Sequence, residues 1–284
     1  MSDTGFLTTS DGLKLHTVRW VPQEPKASVI IVHGLGEHSG RYVPMAEALI
    51  ARGYAVFALD HRSHGRSEGE PRSFILPLEW AVADLQQYVD RVRAEFPALP
   101  VFMIGHSMGG LIAWSYTIRF GETLSGLVSS GAAIDADANV SPLLITVGEV
   151  LTSIIPKVPF VDGAPISELA YNPEIAPAFR ADPLNYKGKL RIGFGTAINR
   201  EAKFVKARLH EVRLPVLILH GADDRIVNPS GSQRAYDSVR SADKTLHLFP
   251  KMKHEIFNEN DRAQVFALML DWLDSHLPGA KTAG

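Results

Sequence analysis

The sequence predicts an α/β protein built on a doubly wound, mostly parallel sheet with helices on both faces. Two observations carry this. Short apolar, β-branched runs alternate along the chain with longer segments of helical spacing, the pattern of successive strand–helix units. Four of those runs also end in polar residues, His33, Asp60, Ser107 and the Asp223/Asp224 pair. On such sheets ligands bind beyond the carboxyl ends of the strands. A third feature divides the chain: the alternation lapses between 133 and 207, a stretch with prolines at 142, 156, 159, 165, 173, 177 and 183. The expected organisation is therefore a core of 1–132 and 208–284, with 133–207 inserted as a cap over the strand ends.

Each element has its own signal. LKLHTVRWV (13–21) alternates, as a strand with one exposed face does. SVIIVHG (28–34) and YAVFALD (54–60) are continuous apolar runs of the buried parallel kind. Between them VPMAEALIARG (43–53) has helical spacing and a glycine stop. LEWAVADLQQYVDRVRAEF (78–96) is an amphipathic helix halted by Pro97. Next come the strand VFMIG (101–105) and a helix over 110–120. LSGLVSSGA (124–132), LPVLILHG (214–221) and KTLHLFP (244–250) supply further strands, and RAQVFALMLDWLDSHL (262–277) closes the chain as a helix. In the insertion, Ser141-Pro142 marks a helix start. Leu143, Leu144, Val147, Val150, Leu151 and Ile154 follow at helical spacing, as a channel lining or as plain packing on the core.

Composition narrows the function. With 45% hydrophobic and 21% charged residues the chain is an ordinary globular one rather than a disordered one. A net charge of −2 gives no field for a polyanion, so nucleic acid is not an expected partner. The absence of cysteine excludes disulfides, thiol nucleophiles and thiolate metal sites, and fits a cytosolic protein. The first twenty residues lack a signal-peptide pattern. The most apolar stretch, 142–161, is interrupted by Glu149, Pro156, Lys157 and Pro159 and does not read as a membrane span.

The chemistry centres on Gly105-His106-Ser107-Met108-Gly109, a G-x-S-x-G pattern between a strand and a helix. There a serine takes a strained backbone conformation that lifts its hydroxyl above the sheet, and glycines two positions away avoid collisions. The Met108 N–H, at the helix start, faces the same space and suits an oxyanion. The alternative is a serine N-cap on an ordinary turn. A serine nucleophile needs a base and an orienting acid, in the chain order Ser, Asp or Glu, His. Asp224 and its neighbour Asp223 compete for the acid; Asp60 precedes the serine and reads as a loop brace. His254, in a loop after the last strand, is the candidate base. His247 lies within a strand and His276 within the last helix. His61 and His64 lack a third metal ligand and read as a solvated loop. His33 and His106 read as structural hydrogen-bonding residues.

HGLGEHSGRY (33–42), DHRSHGRSEG (60–69), GHSMGG (105–110), HGADDRIV (220–227) and KMKHEIFNE (251–259) together resemble the monoacylglycerol lipase branch of the α/β-hydrolase superfamily. The resemblance spans nearly the whole chain, including ADPLNYKG (181–188). It implies a triad of Ser107, Asp224 and His254 and an oxyanion hole made by the backbone N–H groups of Leu35 and Met108. It also implies Glu37 and Arg41 near the polar head of the substrate, although an ion pair that shapes the loop is an equal reading of those two. Phe179 stands where some relatives carry tyrosine, which argues against strict glycerol selectivity. Ser63 stands where relatives usually carry glycine.

The expected activity is cleavage of monoacylglycerols to fatty acid and glycerol through an acyl-enzyme, alongside simple esters, without metal or organic cofactor. Lysophospholipase or broad carboxylesterase activity is the nearest alternative, and a non-catalytic ligand receptor on the same fold is the alternative of another class. An exposed apolar cap face could touch a membrane transiently. Oligomeric state is not encoded legibly.

Overall fold

The computed structural model describes residues 2–135 and 141–279. The ends of the predicted core, and 136–140 of the predicted insertion, lie outside the described residues. One eight-stranded sheet is built from β1 (Ser2–Thr8), β2 (Lys14–Trp20), β3 (Ala27–Val32), β4 (Tyr54–Leu59), β5 (Val101–His106), β6 (Gly126–Ser130), β9 (Val216–Gly221) and β10 (Lys244–Phe249). Its order is β1-β2-β4-β3-β5-β6-β9-β10. Only the β1–β2 and β2–β4 pairs of this sheet are antiparallel. Every residue of β3, β4, β5, β6 and β9 is buried, which is why those runs are apolar without alternation.

Helices cover both faces. α1 (Val43–Ala51) and α8 (Arg262–Ser275) bury Met45, Leu49, Val265, Met269 and Leu273 against one side of the sheet. α2 (Glu79–Glu95), α3 (Met108–Phe120), α6 (Ile192–Arg208) and α7 (Ser230–Ser238) share the cluster on the other. The glycine stop of α1 is Gly53, whose φ of 83° lets the chain turn straight into β4.

The winding reverses at β3, which lies between β4 and β5. Its neighbours' crossovers leave on opposite sides, so a crevice opens where β3 and β5 end, at His33 and His106.

The remaining elements, α4 (Pro142–Ile154), β7 (Pro159–Val161), α5 (Ile175–Ala181) and β8 (Leu190–Arg191), lie within the predicted insertion, with β7 and β8 forming a small separate ribbon. The segment 133–207 is not all cover, however. Phe194, Ala197, Ala202 and Val205 of α6 belong to the same apolar cluster as α2 and α3, because this helix is apolar on the side that meets the sheet layer.

Candidate active site

Ser107 sits between β5 and α3 with φ 56° and ψ −121°, a conformation an L-residue adopts only when its surroundings enforce it. Its own main chain is held: the Ser107 N–H donates to the Ser130 carbonyl at 2.9 Å, and its carbonyl accepts from Leu111 and Ala133 N–H. A methyl group on Gly109 would run into the carbonyl oxygens of Val32 and His33, so only glycine lets α3 approach β3 closely enough. The side chain makes no capping bond to α3, which removes the N-cap reading. Its hydroxyl instead faces His254.

Ser107 Oγ lies 2.9 Å from His254 Nε2, and His254 Nδ1 lies 2.7 Å from Asp224 Oδ2. The Asp224 carboxylate can only accept, so His254 carries its proton on Nδ1 and leaves Nε2 free to accept the serine hydroxyl. Asp224 is further fixed by the Ile226 and Val227 N–H groups on Oδ1, at 2.8 and 2.9 Å. Burial pushes its carboxyl pKa up, but hydrogen bonds from His220, His254 and the Val227 N–H outweigh this and hold it well below the usual range. It is an anion at every working pH. Asp223 points away, exposed, and accepts from the Tyr171 hydroxyl at 3.0 Å. Adjacent residues pointing apart decide between the two.

His220 has no place among the sequence candidates yet completes this arrangement. It is fully buried, its Nε2 3.0 Å from Asp224 Oδ2 and its Nδ1 2.7 Å from Ser232 Oγ. The signal was a histidine at the end of an otherwise apolar buried strand.

The other histidines divide as follows. His33 donates from Nδ1 to the Gly34 carbonyl at 2.8 Å and accepts the His61 N–H on Nε2 at 2.9 Å, bracing the loop after β3. His106 packs against the His254 ring at a tilt of 48°, with centroids 4.7 Å apart. His61 and His64 are not solvated as their charged neighbourhood suggests. Both are buried and pack with His33, and their loop folds inward because Asp60 accepts the Ser39 and Arg66 N–H groups. Burial drives His33 down to about 3 and His64 and His106 to about 4, so all three are neutral. His247 packs on Phe249 in β10, and His276 pairs with Asp243 at 2.7 Å. Among the described residues no group of three or more His, Asp or Glu side chains is arranged to hold a metal.

A cavity of about 730 Å³ opens over Ser107 and His254, the size of an ordinary small-molecule site. Leu35, Glu37, Arg41 and Phe179 line it. Leu143, Leu144, Val147 and Leu151 do not line it. α4 turns Gly148 and Thr152 toward α6, where the Thr152 hydroxyl meets that of Thr196 at 2.9 Å. This leaves Leu143, Val150 and Ile154 exposed to solvent at 74, 59 and 72%. The apolar wall comes instead from Ala164, Ile166, Leu169, Leu190 and Ile226. The loop 181–188 forms part of the roof: the Tyr186 N–H donates to the Gly36 carbonyl at 2.8 Å and Asp182 pairs with His38 at 2.8 Å.

Glu37 and Arg41 form a buried ion pair at 2.7 Å. The pair shapes its loop and faces the cavity as well. Ser63 has φ 63°, the reason glycine suits that position, and its hydroxyl compensates by bonding the Phe74 backbone at 2.9 Å on both N and O.

A hydroxyl raised on a strand–helix elbow, reached by an imidazole from one later loop and a carboxylate from another, is the arrangement of the serine hydrolases with the α/β-hydrolase fold. Within that class the chain belongs to the serine aminopeptidase S33 family, whose model matches residues 23–261. It is 36% identical to a monoacylglycerol lipase of Mycolicibacterium smegmatis over 91% of this chain and 92% of that one. It is 31% identical to human monoglyceride lipase over 99% and 93% of the two chains. A soluble variant of the Saccharomyces cerevisiae monoglyceride lipase, solved in complex with a substrate analogue, superposes with a TM-score of 0.85 at 25% identity, covering 97% of this chain and 96% of that one. The chain falls in the monoacylglycerol lipase branch of the superfamily.

Proposed function

We propose that the protein hydrolyses monoacylglycerols to fatty acid and glycerol, with Ser107 as nucleophile, His254 as general base and acid, and Asp224 as the anion that orients it. The observation that carries this is the unbroken hydrogen-bond relay from Ser107 through His254 to Asp224 at the floor of a cavity open to solvent at its mouth. The names of the full-length relatives support the substrate class.

In this mechanism Ser107 Oγ attacks the ester carbonyl as its proton passes to His254 Nε2. The carbonyl oxygen becomes an oxyanion held by the Leu35 and Met108 N–H groups. Neither amide donates to another backbone or side-chain acceptor among the described residues, and Met108 opens α3, where the helix dipole favours negative charge. The intermediate collapses, the C–O bond to glycerol breaks, and His254 returns its proton to the departing oxygen. Water then attacks the acyl-serine with His254 again as base, and the acid leaves with Ser107 restored. The part of 133–207 that precedes α6 acts as the cap that keeps bulk water from the acyl-enzyme.

Two features widen the substrate range. Phe179 brings a ring rather than a hydroxyl beneath Arg41, 5.0 Å from its guanidinium carbon, so a glycerol head gains no hydrogen bond there. The cavity mouth carries Arg180, Lys187 and Lys189, compatible with a charged head such as that of a lysophospholipid. No described helix is long and apolar enough to cross a membrane. The exposed face of α4 is proposed to make transient contact with a lipid surface.

Ser107→Ala should abolish turnover of a short chromogenic ester and labelling by a fluorophosphonate while keeping the native unfolding transition. Absence of labelling in the wild-type protein would instead mark a non-catalytic receptor. Rates across monoacylglycerols, lysophospholipids and triacylglycerols test the substrate class; equal rates on triacylglycerols would oppose a single-chain site.

A further inference from the structure

Arg41 ties together the two loops on which the proposed reaction depends. Its Nη1 donates to Glu37 Oε2 and to Glu255 Oε1, both at 2.7 Å, and its Nη2 donates to Glu255 Oε2, also at 2.7 Å. Glu255 directly follows His254. Glu37 reaches back within its own loop, where Oε1 accepts the Gly34 N–H at 2.5 Å and the Tyr42 hydroxyl at 2.7 Å. Leu35 is thereby held from both sides, Gly34 by Glu37 and Gly36 by the Tyr186 N–H on its carbonyl. On the other loop the Glu255 N–H donates to the Leu169 carbonyl at 2.7 Å and its Oε2 accepts from Asn258.

These groups are poorly placed for a purely stabilising role. Glu37 and Glu255 are each 4% exposed, and one guanidinium stands against two carboxylates. Burying such a set gains little over apolar packing of the same volume. What it does supply is geometry. A guanidinium is a rigid planar fork, and a bidentate grip on one carboxylate with a third bond to another fixes both distance and angle.

We infer that Arg41 and Glu255 are positioning residues that set the distance between the Leu35 N–H and the His254 imidazole, so that oxyanion and proton are received together. The inference rests on the proposed serine-hydrolase reading. It goes beyond that reading in assigning the span between loops, rather than contact with the substrate head, as the function of the pair. Misplacement by about 1 Å can cost a hundredfold in rate without touching the reacting atoms.

Glu255→Gln is the informative change. It keeps volume and leaves a neutral one-to-one Arg41–Glu37 pair, so the fold is retained, but it weakens the bidentate grip. Glu255→Asp keeps the charge and shortens the reach. In both variants kcat on a monoacylglycerol should fall by about ten- to a hundredfold with KM within about twofold of wild type. Affinity for a trifluoromethyl ketone, which forms a tetrahedral adduct at Ser107, should fall in step with kcat, while affinity for a non-hydrolysable ether analogue stays constant. Wild-type kcat in both variants overturns the inference. So does a parallel loss of ether-analogue affinity, which would mean direct head-group contact. Retention of kcat by Glu255→Asp alone would also overturn it, since charge and not span would then matter. Failure of the underlying reading is distinct: the wild-type protein itself would resist fluorophosphonate labelling.

Discussion

At the scale of single residues, the proposed site works because each polar group has one available role. Asp224 has both oxygens occupied by donors, so it can only orient His254, and His254 can only offer Nε2 to Ser107. Asp224→Asn replaces an acceptor by an amide that can donate, which stabilises the wrong imidazole tautomer. The expected loss in kcat is about 10³- to 10⁴-fold with the fold intact, measured on a soluble ester. A loss under tenfold would refute the orienting role. Gly109→Ala tests the elbow's steric argument: with the Val32 and His33 carbonyls in the way, a clear drop in the urea midpoint is expected rather than the near-neutral change usual for a helix surface. Ser107, Asp224 and His254 were legible because strand-end position and chain order limit the choice. Glu255 was not, because its importance lies in a partner 214 residues away that no local pattern reveals. His220, only four residues from Asp224, carried a local signal at the end of its strand but no pattern that separates a buried brace from a packed histidine.

Elements show where pattern stops informing. In the large sheet β3, β4, β5, β6 and β9 were legible because burial on both faces leaves an apolar run. The edge strand β10 buries only Phe249 and was legible from the short apolar stretch LHLF. β1 was not, because SDTGFLT is an edge strand exposed at most positions and held by its ladder to β2. α7 was equally silent: SGSQRAYDS buries only Gly231, Ser232 and Ala235. In α4 helical spacing showed an apolar helix but not which neighbour it would face. The structure turns it to α6 and away from the cavity, leaving Leu143, Leu144, Val147, Val150 and Ile154 on the outside. That assignment has a consequence. Leu143→Glu combined with Ile154→Glu should leave turnover of a soluble short ester and thermal stability nearly unchanged, because these side chains contact neither site nor core. Hydrolysis of monoacylglycerol presented in lipid vesicles should fall several-fold. Equal losses on both substrates would return α4 to the acyl channel, and no loss on either would remove it from the lipid contact.

For the molecule as a whole, the decisive feature is a layer of neutral imidazoles beneath the crevice. His33, His61, His64 and His106 are buried, and desolvation holds each below the ordinary histidine value, His33 at about 3 and His64 and His106 at about 4. Above about pH 6.5 these groups are neutral in both folded and unfolded chains and contribute no pH dependence. As pH falls from there toward 4 the unfolded chain takes up protons that the folded chain refuses, so stability declines as pH falls. Each such histidine contributes a slope of up to about 1.4 kcal/mol per pH unit. About four acting together would consume a typical domain stability of roughly 5–15 kcal/mol within two to three pH units. Asp60 and Asp224, both held below the ordinary carboxylate value, add a separate loss only below about pH 3.8. The urea midpoint should therefore be flat from pH 8 to 7 and fall steeply between 6 and 4, above the range in which Asp60 and Asp224 add their own loss. From the same data, the slope of unfolding free energy against pH near 5 should correspond to uptake of about four protons by the unfolded chain. A midpoint unchanged between pH 7 and 5 would mean that these imidazoles accept protons in the folded state, and that the packing around the crevice is looser than their burial implies.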